Sequence, residues 1–240
     1  MPRSARKKSP ETTHHIMFRS ISEVQPYRND NDKIKYLQLL SRYCDKFQSQ
    51  VFAYCLMDTH VHIQIDPKGC DIYKLVHGLN LCYAQYYNRR YKRHGHVFQG
   101  RVENKVIKKY NYNLSVSAYT HNNPKDLPDF KDCVHKYYFS SYGIYLGYYD
   151  DDFGLIDQNS ILSYFSKDKK TAIVKYAEFV TQFNKVVQKE DIQELINTLT
   201  TYGYRSERIY IARDTSVEEI VSTVSLLLYR MLNQLKSLVS

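Results

Sequence analysis

The run from Thr59 to Ile65, Thr-His-Val-His-Ile-Gln-Ile, alternates polar and apolar residues at period 2. That is the pattern of a half-buried β-strand. Residues i and i+2 of a strand share a face, so His60 and His62 stand side by side. Neutral imidazole is the commonest protein ligand for metals, and two on a rigid strand supply much of a divalent-metal site. A packed pair of structural histidines satisfies the same spacing. The preceding run, Gln50 to Met57, reads as a second strand, and a turn near Asp58 pairs the two antiparallel.

The flanking segments complete a layered pattern. Thr12 to Ile21 reads as a strand, and His14 and His15 on it read as structural. Asp30-Asn31-Asp32 caps a helix over Lys33 to Phe47, with Ile34, Leu37, Leu40 and Tyr43 at helical spacing. Asp71 opens a helix through Tyr91, Gly95 breaks it, and Val97 to Ile107 reads as a strand. The expected fold class is therefore α+β, an antiparallel sheet of about four strands with helices on one face.

The segment from Lys109 to Asn122 contains neither Gly nor Pro, and Pro124 ends the expected helix at or before Asn123. Tyr119 and Asn123 are i and i+4 and share a helical face, whereas His121 projects away from them. A phenol and an amide carbonyl presented together suit a nucleophile and a third metal ligand. The chain has 24 tyrosines, however, and most of them must be packing or surface residues.

Charge is unevenly distributed. Residues 1–150 carry a net +10 and residues 151–240 a net −1. The excess coincides with the candidate site, which favours a polyanionic partner such as nucleic acid. The basic start, Met1 to Lys8, lacks the apolar stretch of a signal peptide, and no apolar run approaches the roughly 18 residues of a membrane span. Five cysteines without a Cys-x-x-Cys pair fit a reducing cytoplasm rather than a disulfide framework.

Taken together, His60-Val61-His62 on a strand and Tyr119-Thr120-His121-Asn122-Asn123-Pro124 closing a helix resemble the single-tyrosine HUH transposases. The REP-associated tyrosine transposases and their insertion-sequence relatives are the nearest in pattern. Further motifs follow in the same order: Met1-Pro2-Arg3, Ala53 to Met57, Gly95 to Arg101, and Ser140-Ser141-Tyr142. The resemblance spans residues 1–165. Asp58-Thr59 replaces the family's usual Pro-Asn before the histidines, and Asn123-Pro124-Lys125-Asp126-Leu127 lacks the usual Arg-Ala-Gly continuation.

The resemblance implies a ferredoxin-like palm. It also implies metal-dependent nicking and strand transfer on single-stranded, hairpin-bearing DNA. Tyr119 would be the nucleophile, forming a 5′-phosphotyrosine, and His60, His62 and Asn123 would hold Mg²⁺ or Mn²⁺. Arg101, Lys105, Lys108 and Lys109 near the tyrosine helix, and Arg89, Arg90 and Arg93 interleaved with tyrosines, are the expected phosphate contacts. The expected setting is the bacterial cytoplasm, associated with the nucleoid, with the protein a monomer or homodimer. A domesticated, non-catalytic hairpin-binding protein is the alternative, and an RNA-binding ferredoxin-like module is a weaker one. Residues 166–240 read as a separate helical region for packing or DNA binding, with helices over Thr171 to Phe183, Glu190 to Tyr202 and Ser216 to Leu238.

Overall fold

The hairpin expected around Asp58 is present, with β2 (Gln50–Leu56) and β3 (His60–Asp66) joined by a tight turn in which the Met57 amide donates to the His60 carbonyl at 2.9 Å. The computed structural model describes residues 13–21, 24–99, 103–107 and 110–186. The basic tail from Met1 and the two expected helices at Glu190 to Tyr202 and Ser216 to Leu238 lie outside the described residues. β1 (Thr13–Arg19) pairs antiparallel with β3, setting Met17 opposite His62 and Arg19 opposite His60. β4 (Glu103–Ile107) pairs antiparallel with the other edge of β1, giving the order β2-β3-β1-β4. With α1 (Asp30–Phe47) after β1 and α2 (Ile72–Arg90) after β3, this is the ferredoxin-like βαββαβ arrangement. The last strand is shorter than the expected Val97 to Ile107; residues 97–99 also run antiparallel to the end of β1, through a separate bridge between Ser20 and Phe98. There the Gln99 amide donates to the Arg19 carbonyl at 2.8 Å.

Local chemistry sets the helix ends. The Asn29 side chain accepts from the Asp32 amide to start α1, and Gln48, at φ 52°, closes it in the left-handed conformation. Asp71 caps α2 by accepting from the Tyr73 amide at 3.1 Å. The two helices approach closely at Gly78, where an added Cβ would lie 2.5 Å from the Tyr43 ring.

Alternation along the strands divides the molecule into layers. Ile16 and Phe18 of β1 and Val61, Ile63 and Ile65 of β3 pack with Tyr36, Leu37 and Leu40 of α1 and Leu75, Leu79 and Tyr83 of α2. The opposite sheet face, carrying His15, Met17, His60, His62 and Gln64, is covered by α3 (Tyr110–Asn122). The α+β class with an antiparallel sheet is as expected, but helices occupy both faces rather than one. After α3 come two one-turn helices, α4 (Tyr142–Tyr145) and α5 (Asn159–Leu162), and then α6 (Lys169–Val186). A second core joins Phe52, Ala118, Tyr145, Ile161, Tyr176 and Val180, so α6 shares its packing with α3. Phe52 reaches that core from a bulge in β2, where the register shifts between Val51 and Ala53. Among the described residues no helix is long and apolar enough to cross a membrane, and the five cysteines are free thiols.

A buried polar chain ties α3 in place. Ser141 accepts from the Tyr54 amide of β2 at 2.9 Å and bonds the Nε2 of His121 at 2.8 Å. The other ring nitrogen of His121 meets the Tyr176 hydroxyl at 2.6 Å, and that hydroxyl also bonds Ser117. Asn122 adds a bond from its amide to the Val180 carbonyl at 3.0 Å. The motif Ser140-Ser141-Tyr142 and the histidine of the tyrosine helix therefore serve the fold, since His121 is wholly buried.

Burial disfavours the imidazolium form and lowers the pKa of His121 to about 3. The unfolded chain takes up this proton near pH 6.5, whereas the native chain resists until about pH 3. The contribution to stability is thus intact above pH 6.5 and is lost as pH falls through that window, at up to about 1.4 kcal/mol per pH unit. Urea unfolding between pH 7.5 and 4 should show His121→Gln less stable than wild type by about 1–3 kcal/mol at pH 7.5. The variant should also have a shallower loss of stability on acidification.

Candidate active site

Of the elements that the sequence singles out, the fold brings β3 and α3 together on one face of the sheet. β3 supplies His60 and His62, whose ring centroids lie 5.1 Å apart with planes at 86°. α3 lies across them and presents Tyr119, whose ring is 5.4 Å from that of His62 in an edge-on arrangement. The register of α3 over the sheet is set by Gln64, two residues beyond His62. Its buried amide donates to the Asn113 carbonyl at 2.9 Å and to the Asn113 side chain. Asn123 opens the 3₁₀ turn Asn123–Asp126 that ends the helix, and its amide nitrogen donates back to the Tyr119 carbonyl at 2.9 Å. That bond fixes the side chain next to the tyrosine and leaves the amide oxygen as its acceptor atom.

His15 and Arg19 join this group although the sequence did not mark them for chemistry. Both lie on the same β1 face as Met17, with Arg19 directly opposite His60. His15 is buried, contacts His62 through a ring nitrogen at 3.2 Å, and has its ring centroid 6.0 Å from that of Tyr119. A signal for them exists only once β1 is paired with β3, because their relation to the His-x-His strand is set by register.

The electrostatics keep the phenol protonated. Burial pushes the Tyr119 pKa up to about 12; Asp126 adds to the rise, Arg19 opposes it and Cys55 adds slightly. A nucleophilic role for this residue therefore requires a neighbouring positive charge when substrate is present. The donor set fits a divalent ion of mixed nitrogen and oxygen preference. Among the described residues no three His, Cys, Asp or Glu side chains converge as a metal site. The residues of this region that could hold such an ion are the two adjacent imidazoles of β3, with the Asn123 amide oxygen at the end of α3 as the oxygen donor that the sequence suggests. Two imidazoles favour Mn²⁺ over Mg²⁺, and the low ligand count leaves positions for phosphate oxygens and water.

The hairpin leading into His60 carries the departure Asp58-Thr59, and the structure gives it a partner. Asp58 pairs with the buried Lys33 of α1 at 2.7 Å. Lys33 also donates to the Tyr137 hydroxyl at 3.0 Å and sits 4.9 Å from the Phe139 ring centroid. Tyr137 in turn donates to the Leu56 carbonyl at 2.7 Å, so the turn is fastened from both sides.

The basic residues divide differently. Arg89 and Arg90 close α2 and are exposed, and Arg93 follows, bonded to the His96 carbonyl at 3.1 Å. β1 ends beside His60, and α1 begins and α2 ends at this same end of the sheet. The tyrosines interleaved with these arginines take part in the fold. Tyr87 is fully buried, and Tyr86 and Tyr91 donate to the buried Asp32 at 3.1 and 2.6 Å. Arg90 is held by the same carboxylate at 3.5 Å. Lys105 lies on β4 opposite His15 by backbone register. Arg101, Lys108 and Lys109 lie outside the described residues.

Comparison with known proteins adds two findings. Residues 8–123 match the family model of the IS200-like transposases. Among solved structures, a REP-associated tyrosine transposase bound to a REP hairpin superposes with a TM-score of 0.50 at 13% sequence identity, covering 61% of this chain and 86% of that one. At that identity the likeness shows the fold. No curated protein gives a significant sequence match.

The Lys33–Asp58 pair supplies a check on how the turn is held. Asp58→Ala leaves the Lys33 ammonium buried against aromatic rings without its carboxylate, and should lower stability by about 1–2 kcal/mol in urea unfolding. The same substitution made in a Lys33→Met background should cost less than about 0.5 kcal/mol.

Proposed function

We propose, from the match of residues 8–123 to the family model of the IS200-like transposases, that this chain cuts and rejoins single-stranded DNA through a covalent bond to Tyr119. The observation that carries the proposal is the meeting of Tyr119 with the His60–His62 face within one chain, at 5.4 Å between the Tyr119 and His62 rings. A hairpin-binding protein without chemistry needs neither a phenol nor two imidazoles at that place.

The reaction balances without a cofactor that stores energy. The Tyr119 oxygen loses its proton and attacks the phosphorus of one phosphodiester. The bond from phosphorus to the 3′-oxygen breaks, leaving a 5′-phosphotyrosyl protein and a free 3′-hydroxyl. Attack by a second 3′-hydroxyl reverses the step and joins a new strand, because the phosphotyrosine conserves the bond energy. A Mg²⁺ or Mn²⁺ ion bound by His60, His62 and Asn123 would polarise the phosphate and stabilise the charge that develops on it. The chain's own contribution is positional. Gln64 and His121 hold α3 over the sheet, Asn123 braces the tyrosine backbone, and Arg19 lowers the cost of forming a phenolate.

Arg89, Arg90, Arg93, Arg101, Lys105, Lys108 and Lys109 are the proposed phosphate contacts, giving the DNA a basic track on the half of the chain that carries the net positive charge. The partner is single-stranded DNA bearing a hairpin, as in the REP-hairpin complex of the structural relative. The proposed location is the bacterial cytoplasm, at the nucleoid. Because the tyrosine reaches the histidines of its own chain, a monomer has the groups it needs. Residues 166–240 are proposed as a helical region that supports the transposase domain at 1–165, beginning with α6 against α3.

The test uses end-labelled single-stranded hairpins from the flanks of the gene, with or without Mn²⁺, on a denaturing gel. Wild type should form a protein–DNA adduct that chelation of the metal prevents and that Tyr119→Phe abolishes. Hairpin binding by native gel should survive both changes. Binding with no adduct across metals and substrates would indicate a non-catalytic hairpin-binding protein. For the basic track, Arg89→Gln should weaken hairpin binding uniformly across sequences and reduce the slope of log affinity against log salt by about 1.

A further inference from the structure

The contact between His15 and His62 has a geometry that separates hydrogen bonding from ring stacking. The two rings are nearly parallel at 15°, their centroids are 5.4 Å apart, and His15 Nε2 is 3.2 Å from His62 Nδ1. A centroid separation exceeding the nitrogen–nitrogen distance by about one ring diameter means that the rings meet edge to edge, nitrogen to nitrogen. Both residues are almost completely buried, at 3% and 2% exposure. One hydrogen is shared between these two nitrogens, and its position fixes the tautomers of both rings.

The choice of tautomer bears on metal binding. If His15 donates, His62 is protonated at Nε2 in its neutral form and has no lone pair to offer there. If His62 donates from Nδ1, its Nε2 becomes a ligand atom. A ligating histidine is commonly held in this way, with the other ring nitrogen donating to a fixed acceptor that sets both ring orientation and basicity. A backbone carbonyl or carboxylate usually takes that part, and here the geometry offers an imidazole.

We propose that His15 on β1 is a positioning residue for the metal site: its Nε2 accepts the Nδ1 hydrogen of His62 and so holds His62 as an Nε2 ligand. The inference rests on the reading of His60 and His62 as ligands. His15 touches neither metal nor DNA in this account and acts only through His62. The diagonal placement follows from the register, because His15 is paired with Gln64, two residues along the same face from His62.

Two measurements test the proposal. The first is nitrogen NMR of ¹⁵N-histidine-labelled, metal-free wild type, assigned with His62→Ala. The expected result is a neutral His62 carrying its hydrogen on Nδ1, and a His62 that carries it on Nε2 overturns the proposal without any substitution at His15. The second is titration with Mn²⁺ alone, reading the free ion by electron paramagnetic resonance. His15→Phe should weaken Mn²⁺ binding by about 10–100-fold. His15→Gln, which restores an acceptor oxygen, should recover most of that loss. Hairpin binding in chelator should be unchanged in both. Wild-type affinity in His15→Phe, with affinity lost in His60→Ala and His62→Ala, would reduce His15 to packing and leave the metal site standing. Unchanged affinity in His60→Ala and His62→Ala as well would remove the metal-site reading itself, and the proposal with it.

Discussion

The antiparallel register of β1 against β3 is the constraint on which the remainder of this structure depends. Because successive side chains point to opposite faces, one pairing settles two matters at once. It sends Ile16, Phe18, Val61, Ile63 and Ile65 into the core beneath α1 and α2. It also lines up His15 and Arg19 with His60 and His62 on the other face. A slip of β1 by one residue would turn His15 and Arg19 toward the apolar side and take Ile16 and Phe18 out of it, each of these two worth about 1.5–3 kcal/mol of burial. The same apolar contacts that hold the sheet together therefore hold the histidines in place.

Covering the polar face requires polar means. α3 meets β3 through Gln64 and Asn113, and meets its other neighbours through the chain from Tyr54 by way of Ser141 and His121 to Tyr176. Buried bonds of this kind contribute little net stability each, yet leaving one unmade is costly, so they select a single position for the helix. Apolar packing alone would tolerate small shifts of a helix along its groove. In the proposed reaction, a phenol reaching a phosphate beside two imidazoles would not tolerate such shifts. The dense hydrogen bonding of α3 would meet that demand.

Much of this was legible in the sequence, and the reasons for the remainder are specific. The His-x-His strand and the hairpin before it could be read because period 2 is a local signal, and α1 and α2 because their apolar spacing and caps are local too. Tyr119 and Asn123 could be placed together because i and i+4 neighbours follow from helix geometry. His15 looked structural, since its relation to His62 exists only across the β1–β3 pairing. The tyrosines of α2 looked like a surface for stacking bases, but Asp32 on α1 draws Tyr86 and Tyr91 inward and Tyr87 is buried. Helices on both sheet faces were equally hidden, because no periodicity states which side of a sheet a helix will cover.

The position of α6 has a consequence for what counts as a unit in this protein. The family match ends at residue 123, the residue that closes the tyrosine helix. Yet the outer side of that helix is sealed by Tyr176 and Val180, more than fifty residues further along. A fragment cut to the family boundary would keep its sequence motif while presenting the polar and aromatic back of α3 to water. Shuffling the motif-bearing segment between relatives would carry the same cost unless its distant support travelled with it. The helix that carries Tyr119 thus belongs, in terms of inheritance, to two stretches of the gene at once.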